Sequence, residues 1–577
     1  MLGLFSYLKD YKKEALLGPL GKLLEAIFEL IVPIVMARII DIGIPAGDKP
    51  YIFRLGGVLV MLGILGLAAS LTAQYFAAKA AVGFGTELRS ALFKHINTLS
   101  HADIDRIGAS TLVTRMTADV MAAQTGVNML LRLFLRAPFI VVGALIMALM
   151  ISVKLTLIFA LFTPILAAVI YFVTRRTVPM FGAIQRKLDH ITRLTDENIS
   201  GVRVIRAFSR GDDERKRFEY AADSLQTVQV AAGRESAVMS PLTYVFVNIA
   251  IMLIIWCGGI SVNVGGITQG EVIALVNFMT QILLSLIRLA ELIMSLSKMQ
   301  ASSLRISEVF AISPTVTEHK GGRVQPDYHA PAVEFRSVDL SYVDSERPAL
   351  EGISFKAERG ETIGIIGGTG CGKTTLINLI PRFYDAVRGE VYVFGTDVRG
   401  YSFEQLRGMI GIVPQKAVLF SGTVRENMQW RKQDASDEEI YKALETAQAR
   451  EFIDRDPDGL DRMLEQGGRN LSGGQRQRLT IARALVGKPE ILILDDSASA
   501  LDLATDAALR RALAADTDGM TVFIVSQRVS SIRHADRIIV LDDGSTAGIG
   551  SHEQLLESCD VYREICRSQL TDEEVGR

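Results

Sequence analysis

Gly367-Gly-Thr-Gly-Cys-Gly-Lys373-Thr374 is the stretch on which the reading of this 577-residue chain turns. It fits the pattern G-x-x-x-x-G-K-[ST]; an apolar, β-prone run, Thr362–Ile366, precedes it and a helix-like run, Thr375–Ile380, follows. Glycines let backbone N–H groups curl around phosphate oxygens, Lys373 reaches the outer phosphates, and the Thr374 hydroxyl suits a Mg²⁺ ligand. The expected nucleotide-binding set is therefore Gly367, Gly368, Thr369, Gly370, Cys371, Gly372, Lys373, Thr374 and Thr375. Cys371 reads as a tolerated small residue rather than a redox switch.

Further along, Ile491-Leu-Ile-Leu-Asp495 is a buried-strand pattern ending in an acid, which places a carboxylate beside a phosphate-bound Mg²⁺. Between the two lies Leu471-Ser-Gly-Gly-Gln475-Arg-Gln-Arg-Leu-Thr-Ile-Ala-Arg-Ala-Leu485. A Ser-Gly-Gly turn opening a helix is a second anion-binding helix start. Two phosphate sites on one α/β domain suggest two such domains closing on each other.

Residues N-terminal to this domain are of another kind. The chain is 49% hydrophobic and still 22% charged, an average that a very apolar half joined to an ordinary soluble half produces, and its length implies two or more domains. Six runs are long and apolar enough to cross a bilayer, near 15–40, 52–78, 127–151, 154–174, 241–264 and 271–297. No cleavage-like site follows Lys9, Lys12 and Lys13, so the first run reads as a retained membrane helix. Connections after the second and fourth runs are long and rich in Lys and Arg, which puts them, and both ends of the chain, in the cytoplasm. Ala80–Leu99 and Gln185–Arg206 read as helices continuing past the bilayer, with breaks at His101–Gly108 and Phe208–Asp213 that offer contacts for a soluble domain.

Ionisable residues in or beside the spans are Glu25, Glu29, Arg38, Arg132, Arg136, Arg288 and Glu291. They admit a polar translocation path, interfacial snorkelling for Arg38 and Arg132, or a structural Arg288–Glu291 pair on one helical face. Ser313–Arg323 is polar and broken by Pro and Gly, which marks a linker. The expected domains are 1–311 in the membrane, a linker at 312–331, and an α/β domain at 332–577. A net charge of −2 argues against a nucleic-acid partner. Cys257, Cys371, Cys559 and Cys566 form no CxxC pair, as suits reducing surroundings for the soluble half.

The Leu471–Gln475 signature, the phosphate loop and the Asp495 strand, placed after six spans, resemble the half-transporters of the ABC exporter family across essentially the whole chain. The implied fold is a six-helix membrane domain with long cytoplasmic extensions, fused to an α/β P-loop ATPase that uses ATP and Mg²⁺. The resemblance makes Tyr342 the aromatic residue that stacks on adenine, Gln415 the glutamine that senses Mg²⁺ and contacts the membrane domain, and Ser499-Ala-Leu-Asp502 the loop across the dimer interface. Ser472, Gly473, Gly474 and Gln475 become the signature that completes an opposing ATP site. The breaks at His101–Gly108 and Phe208–Asp213 match the family's two coupling helices.

Two positions depart from the family. Asp496 stands where the family has the glutamate that polarises the attacking water, and Gln527 stands where it has a histidine that contacts the γ-phosphate. An aspartate is one methylene short of the expected base, and glutamine carries no charge toward the leaving phosphoryl. The resemblance then implies a heterodimer: this chain's own site holds ATP and turns over slowly, and its signature completes the partner half-transporter's site. The alternative is an active site with altered residues. The expected cargo is a hydrophobic or amphiphilic, drug-like small molecule exported across the cytoplasmic membrane. The alternatives are a lipid, peptide or siderophore transporter of the same fold, or an ATP-gated regulator or channel subunit.

Overall fold

A computed structural model of the chain describes residues 2–318, 324–342, 347–497, 500–516 and 519–570. Residues 319–323 of the expected linker, Val343 beside Tyr342, and Ser499 of the expected interface loop lie outside them. Contacts divide the chain into two units, one of Met1–Asn97 with Ser110–Ile312 and the other of Thr98–Ala109 with Ser313–Arg577.

The first unit is helical. Its main helices are α1 (Lys12–Arg38), α2 (Lys49–Ile96), then, beyond α3 (His101–Ile107) of the second unit, α4 (Val120–Leu133), α5 (Arg136–Ile151), α6 (Val153–Ser200), α7 (Val202–Ala207), α8 (Gly211–Ala237), α9 (Met239–Asn263) and α10 (Gln269–Phe310). Among the described residues, five continuous helical stretches are long and apolar enough to cross a membrane: Lys49–Ile96, Ala109–Ile151, Val153–Ser200, Gly211–Asn263 and Gln269–Phe310. The first expected span is formed as α1, but Lys22, Glu25 and Glu29 interrupt its apolar run and leave it outside that set.

Small residues let these helices approach. Gly21 of α1 faces Ala73 of α2, and a Cβ on the glycine would lie 2.9 Å from the alanine's. Without a hydrophobic effect between helices in lipid, such close backbone contact is what holds them. Arg38 is exposed, as snorkelling requires, whereas Arg136 is buried and pairs with Glu29 of α1 at 2.7 Å. Arg288 and Glu291 form no ion pair with each other among the described residues, because Glu291 turns to the exposed side of α10.

The second unit holds an antiparallel four-stranded sheet and a six-stranded, mainly parallel one. The strands used here are β1 (Val333–Leu340), β2 (Leu350–Ala357), β3 (Thr362–Gly367), β4 (Arg388–Val393), β5 (Thr396–Asp397), β6 (Ile410–Val413), β7 (Ile491–Asp495), β8 (Thr521–Val525), β9 (Arg537–Asp542) and β10 (Ser545–Gly550). The smaller sheet runs β2-β1-β4-β5 and the larger β10-β9-β3-β8-β7-β6. Pairings of β3, β6, β7, β8 and the β9–β3 edge are parallel, so both faces are covered and these strands read as near-continuous apolar runs. Phe335 and Phe355 stack at 4.6 Å in the core under the small sheet. Helices α11 (Lys373–Leu379) and α12 (Gly473–Leu485) follow the phosphate loop and the Ser-Gly-Gly turn. All four cysteines are free.

Candidate functional site

The site forms where the carboxyl ends of central parallel strands meet. Val525 of β8 is level with both Ile365 of β3 and Asp495 of β7, so one rung of the sheet sets the phosphate loop and the strand-end acid at the same edge. Ligands of open parallel sheets bind outside this edge. The loop turns on left-handed glycines: Gly372 has φ +96, and a Cβ there would lie 2.6 Å from the Ala349 carbonyl. Lys373 folds back over the loop, its Nζ donating to the Gly367 and Gly368 carbonyls at 2.9 and 2.6 Å.

Thr374 Oγ1 donates to both Asp495 carboxylate oxygens, at 3.2 and 3.1 Å. Asp495 is 5% exposed, and burial pushes its carboxyl above the usual range against the opposing Thr374 hydrogen bond, with Asp496 adding to the rise. A buried carboxylate with a hydroxyl beside it is a hard-oxygen pair that a Mg²⁺ ion fits, and the ion's charge would relieve the burial penalty.

Asp496 sits one residue beyond, at φ +44, its N–H donating to the Val525 carbonyl at 3.0 Å. Burial raises its carboxyl, while Gln415, Lys373 and Arg528 oppose the rise. Gln415 Nε2 reaches Asp496 Oδ2 at 3.5 Å, the long end of a hydrogen bond. Gln527 is exposed, and its carbonyl accepts from Gln569 Nε2 at 2.7 Å. Tyr342 places its hydroxyl 2.9 Å from Thr375 Oγ1 and meets Tyr384 edge to face, ring centroids 5.4 Å apart.

An open cleft of about 470 Å³ gathers Tyr342, Thr369, Gly370, Gly372, Lys373, Thr374, Thr375, Gln415, Asp495, Asp496 and Gln527. Gly367, Gly368 and Cys371 shape the loop without lining the cleft, and Cys371 is buried behind it. The signature residues are not on the cleft. Ser472 instead caps α12: its hydroxyl accepts from the Gln475 N–H at 3.2 Å, and Gln475 Oε1 accepts from the Ser472 N–H at 3.0 Å. Asp502 likewise caps the next helix, accepting from Thr505 N at 2.9 Å.

Three contributors escaped the sequence. Arg347 and Asp543 line the cleft from loops with no periodic signal, and Arg528 acts on Asp496 from the residue after Gln527. The fourth feature is a chain of contacts within the second unit. Tyr384 donates to Asp105 of α3 at 2.6 Å, and burial with that carboxylate lifts its phenol far above the ordinary value. The His101 ring lies 4.4 Å from that of Phe383, and Asp103 accepts from the Thr315 N–H at 3.1 Å. The first break thus packs on residues of the α/β domain, the contact role expected of it. The second break carries Ser209 at φ +54 and an Arg210–Asp213 pair at 2.6 Å.

Comparison with known proteins agrees with this geometry. Residues 16–286 match the family model described as "ABC transporter transmembrane region", and residues 350–499 match "ABC transporter". An uncharacterized ABC transporter ATP-binding protein of Bacillus subtilis, YfiB, is 37% identical over 98% of each chain. Another from Mycobacterium tuberculosis is 37% identical over 99% of this chain and 98% of its own. An ATP-dependent lipid A-core flippase of Hahella chejuensis is 32% identical over 99% and 97%. A bacterial Atm1-family ABC exporter with ATP bound shares the fold at TM-score 0.81 and 23% identity, over 97% of this chain and 99% of that one.

Proposed function

Because the chain belongs to the ABC transporter family, we propose that it is one half of an ATP-driven exporter that works as a heterodimer. Its own Walker site holds ATP with Mg²⁺ through Tyr342, Lys373, Thr374, Gln415 and Asp495 and hydrolyses it slowly. Its signature, Ser472–Gln475, completes the partner half-transporter's competent site. The observation that carries this is that the cleft lining places Asp496, one methylene shorter than the family's glutamate, beside a Gln527 that carries no imidazole. A general base acts at hydrogen-bond distance from the proton it takes, so geometry precedes pKa. The intact capping box at Ser472 supports a signature in working order.

In this reading α1 crosses the membrane as a sixth span, its charges turned into the protein, and both termini and the ATPase domain face the cytoplasm. The domain limits are 1–311 and 332–577, joined by 312–331. The cargo is a hydrophobic or amphiphilic small molecule, and similarity to a lipid A-core flippase favours a lipid-like amphiphile as the second reading. Purification of the chain alone and with its partner half-transporter tests the asymmetry. Slow ATP turnover alone and fast turnover in the pair are expected; fast turnover by the lone chain, abolished by Asp496→Asn, overturns it.

A further inference from the structure

The turn that carries Gln527 is held by a side chain 42 residues further along the chain. After β8 the backbone bends through Ser526, Gln527 and Arg528 into the short helix α13 (Val529–Ile532). The Ser526 N–H donates to the Ile365 carbonyl of β3 at 3.1 Å, and the Arg528 N–H donates to Ser526 Oγ at 2.9 Å. Two further ties come from one residue. Gln569 Nε2 donates to the Gln527 carbonyl at 2.7 Å, and Gln569 Oε1 accepts from the Val529 N–H at 2.9 Å. A primary amide presents donors and an acceptor side by side, so one glutamine closes on a carbonyl and an N–H two residues apart and fixes both.

Packing brings this glutamine to the turn. Helix α15 (Asp560–Gln569) follows α14 (His552–Ser558), and Tyr562, Cys566 and Gln569 fall at i, i+4 and i+7 on one face of it. Tyr562 and Cys566 are fully buried, in one apolar cluster with Val529 and Ile532 of α13 and Leu555 of α14. The Tyr562 hydroxyl lies 2.7 Å from His552 Nδ1, which ties α15 to α14. Gln569 ends the same face at the surface. Two side chains of the turn bear on the cleft: Gln527 lines it, and Arg528 opposes the rise of the Asp496 carboxyl. An N–H···O bond keeps its strength over a range of about 0.5 Å, so an amide at 527 meets a phosphate oxygen only from a fixed backbone. Capping explains half of the arrangement, since the Val529 N–H is a first-turn donor that α13 itself leaves unpaired. The bond to the Gln527 carbonyl is the half that capping does not need.

We propose that Gln569 is a positioning residue of the nucleotide site: by holding the Gln527 carbonyl it sets the Gln527 amide to donate to the γ-phosphate of bound ATP. This rests on ATP occupying this chain's own Walker site and is independent of how fast that site turns over. The test is equilibrium binding of ADP and of the non-hydrolysable AMP-PNP, each with Mg²⁺, to the full chain in detergent. Only AMP-PNP carries a γ-phosphoryl group, so the ratio of the two affinities reads the contact at residue 527. Gln569→Glu keeps the acceptor for Val529 and loses the donor to Gln527, whereas Gln569→Ala loses both. Each is expected to weaken AMP-PNP about three- to tenfold, the effect of one hydrogen bond, with ADP affinity unchanged. Unchanged ADP affinity also shows that the variants are folded. Gln527→Ala should give the same loss, and Gln569→Glu added to it should change nothing further. Equal loss for both nucleotides would make Gln569 a helix cap only and overturn the proposal. An unchanged ratio in both Gln569 variants, or additive effects of the Gln569 and Gln527 substitutions, would overturn it too. A wild type that binds neither nucleotide overturns the Walker-site reading, and this inference with it, a result distinct from all the others.

Discussion

On the slow-site proposal, replacing Asp496 with glutamate should speed ATP turnover, with a measurable cost to the fold. The added methylene carries the carboxylate about 1.5 Å further along the side chain, one carbon–carbon bond length. Asp496 lines the cleft, so the extension carries the carboxylate further over the place where water attacks a bound nucleotide. A positioned general base contributes about 10²–10⁴-fold. Aspartate already supplies part of this, and Gln527 still lacks a charge, so a gain of about 10–100-fold in kcat is expected for Asp496→Glu and a further gain with Gln527→His. The cost comes from φ +44 at this position, a left-handed conformation that aspartate tolerates better than glutamate, worth about 1 kcal/mol of stability. Phosphate release by the lone chain in lipid nanodiscs, with nucleotide binding followed in parallel, measures both effects. An unchanged rate in a variant that still binds ATP would refute the reasoning that side-chain reach limits this site.

Other consequences of the same geometry are open to measurement. Lys373→Ala removes the charge-assisted contacts to phosphate and should weaken binding of a fluorescent ATP analogue about 10–100-fold, since such hydrogen bonds contribute about 1.5–3 kcal/mol. Burial raises the Asp495 carboxyl in the folded protein, so the fold binds that proton more tightly than the unfolded chain, and its ionisation costs stability as pH rises through the folded value. Asp495→Asn should therefore melt higher than wild type at neutral pH without Mg²⁺. That difference should shrink as pH falls into the ordinary carboxylate range, and thermal unfolding of the nucleotide-free proteins at pH 7 and pH 4 checks it. Tyr384→Phe removes the donor to Asp105 and should speed amide exchange across α3 about tenfold; a double-mutant cycle with Asp105→Asn should show the two changes to be strongly non-additive.

Much of the nucleotide site was legible because its chemistry is local. A glycine loop, its lysine and threonine, and a strand-end acid each depend on neighbours within a few residues, and Thr374 meets Asp495 at 3.1 Å as strand order requires. Charges in the membrane unit were not legible in this way. The spacing of Arg288 and Glu291 allowed a pair that does not form, while Arg136 found Glu29 across 107 residues of chain. Nothing in helical periodicity announces a partner on another helix. By composition Lys22, Glu25 and Glu29 set α1 apart from the other five long stretches, although the helix is formed where the first span is expected.

By itself, the sequence determined the chemistry of the phosphate loop, the presence of Asp and Gln at positions 496 and 527, and the division into an apolar and a soluble half. These follow from residue type and short-range pattern. Only the tertiary structure decided that Ser472–Gln475 stand off this chain's own cleft, that Tyr384 ties Asp105 of α3 beside the Tyr342 ring, and that Arg136 pairs with Glu29 of α1. Each of those is set by which distant segments pack together, and packing depends on the whole sheet and helix bundle rather than on any one stretch of sequence.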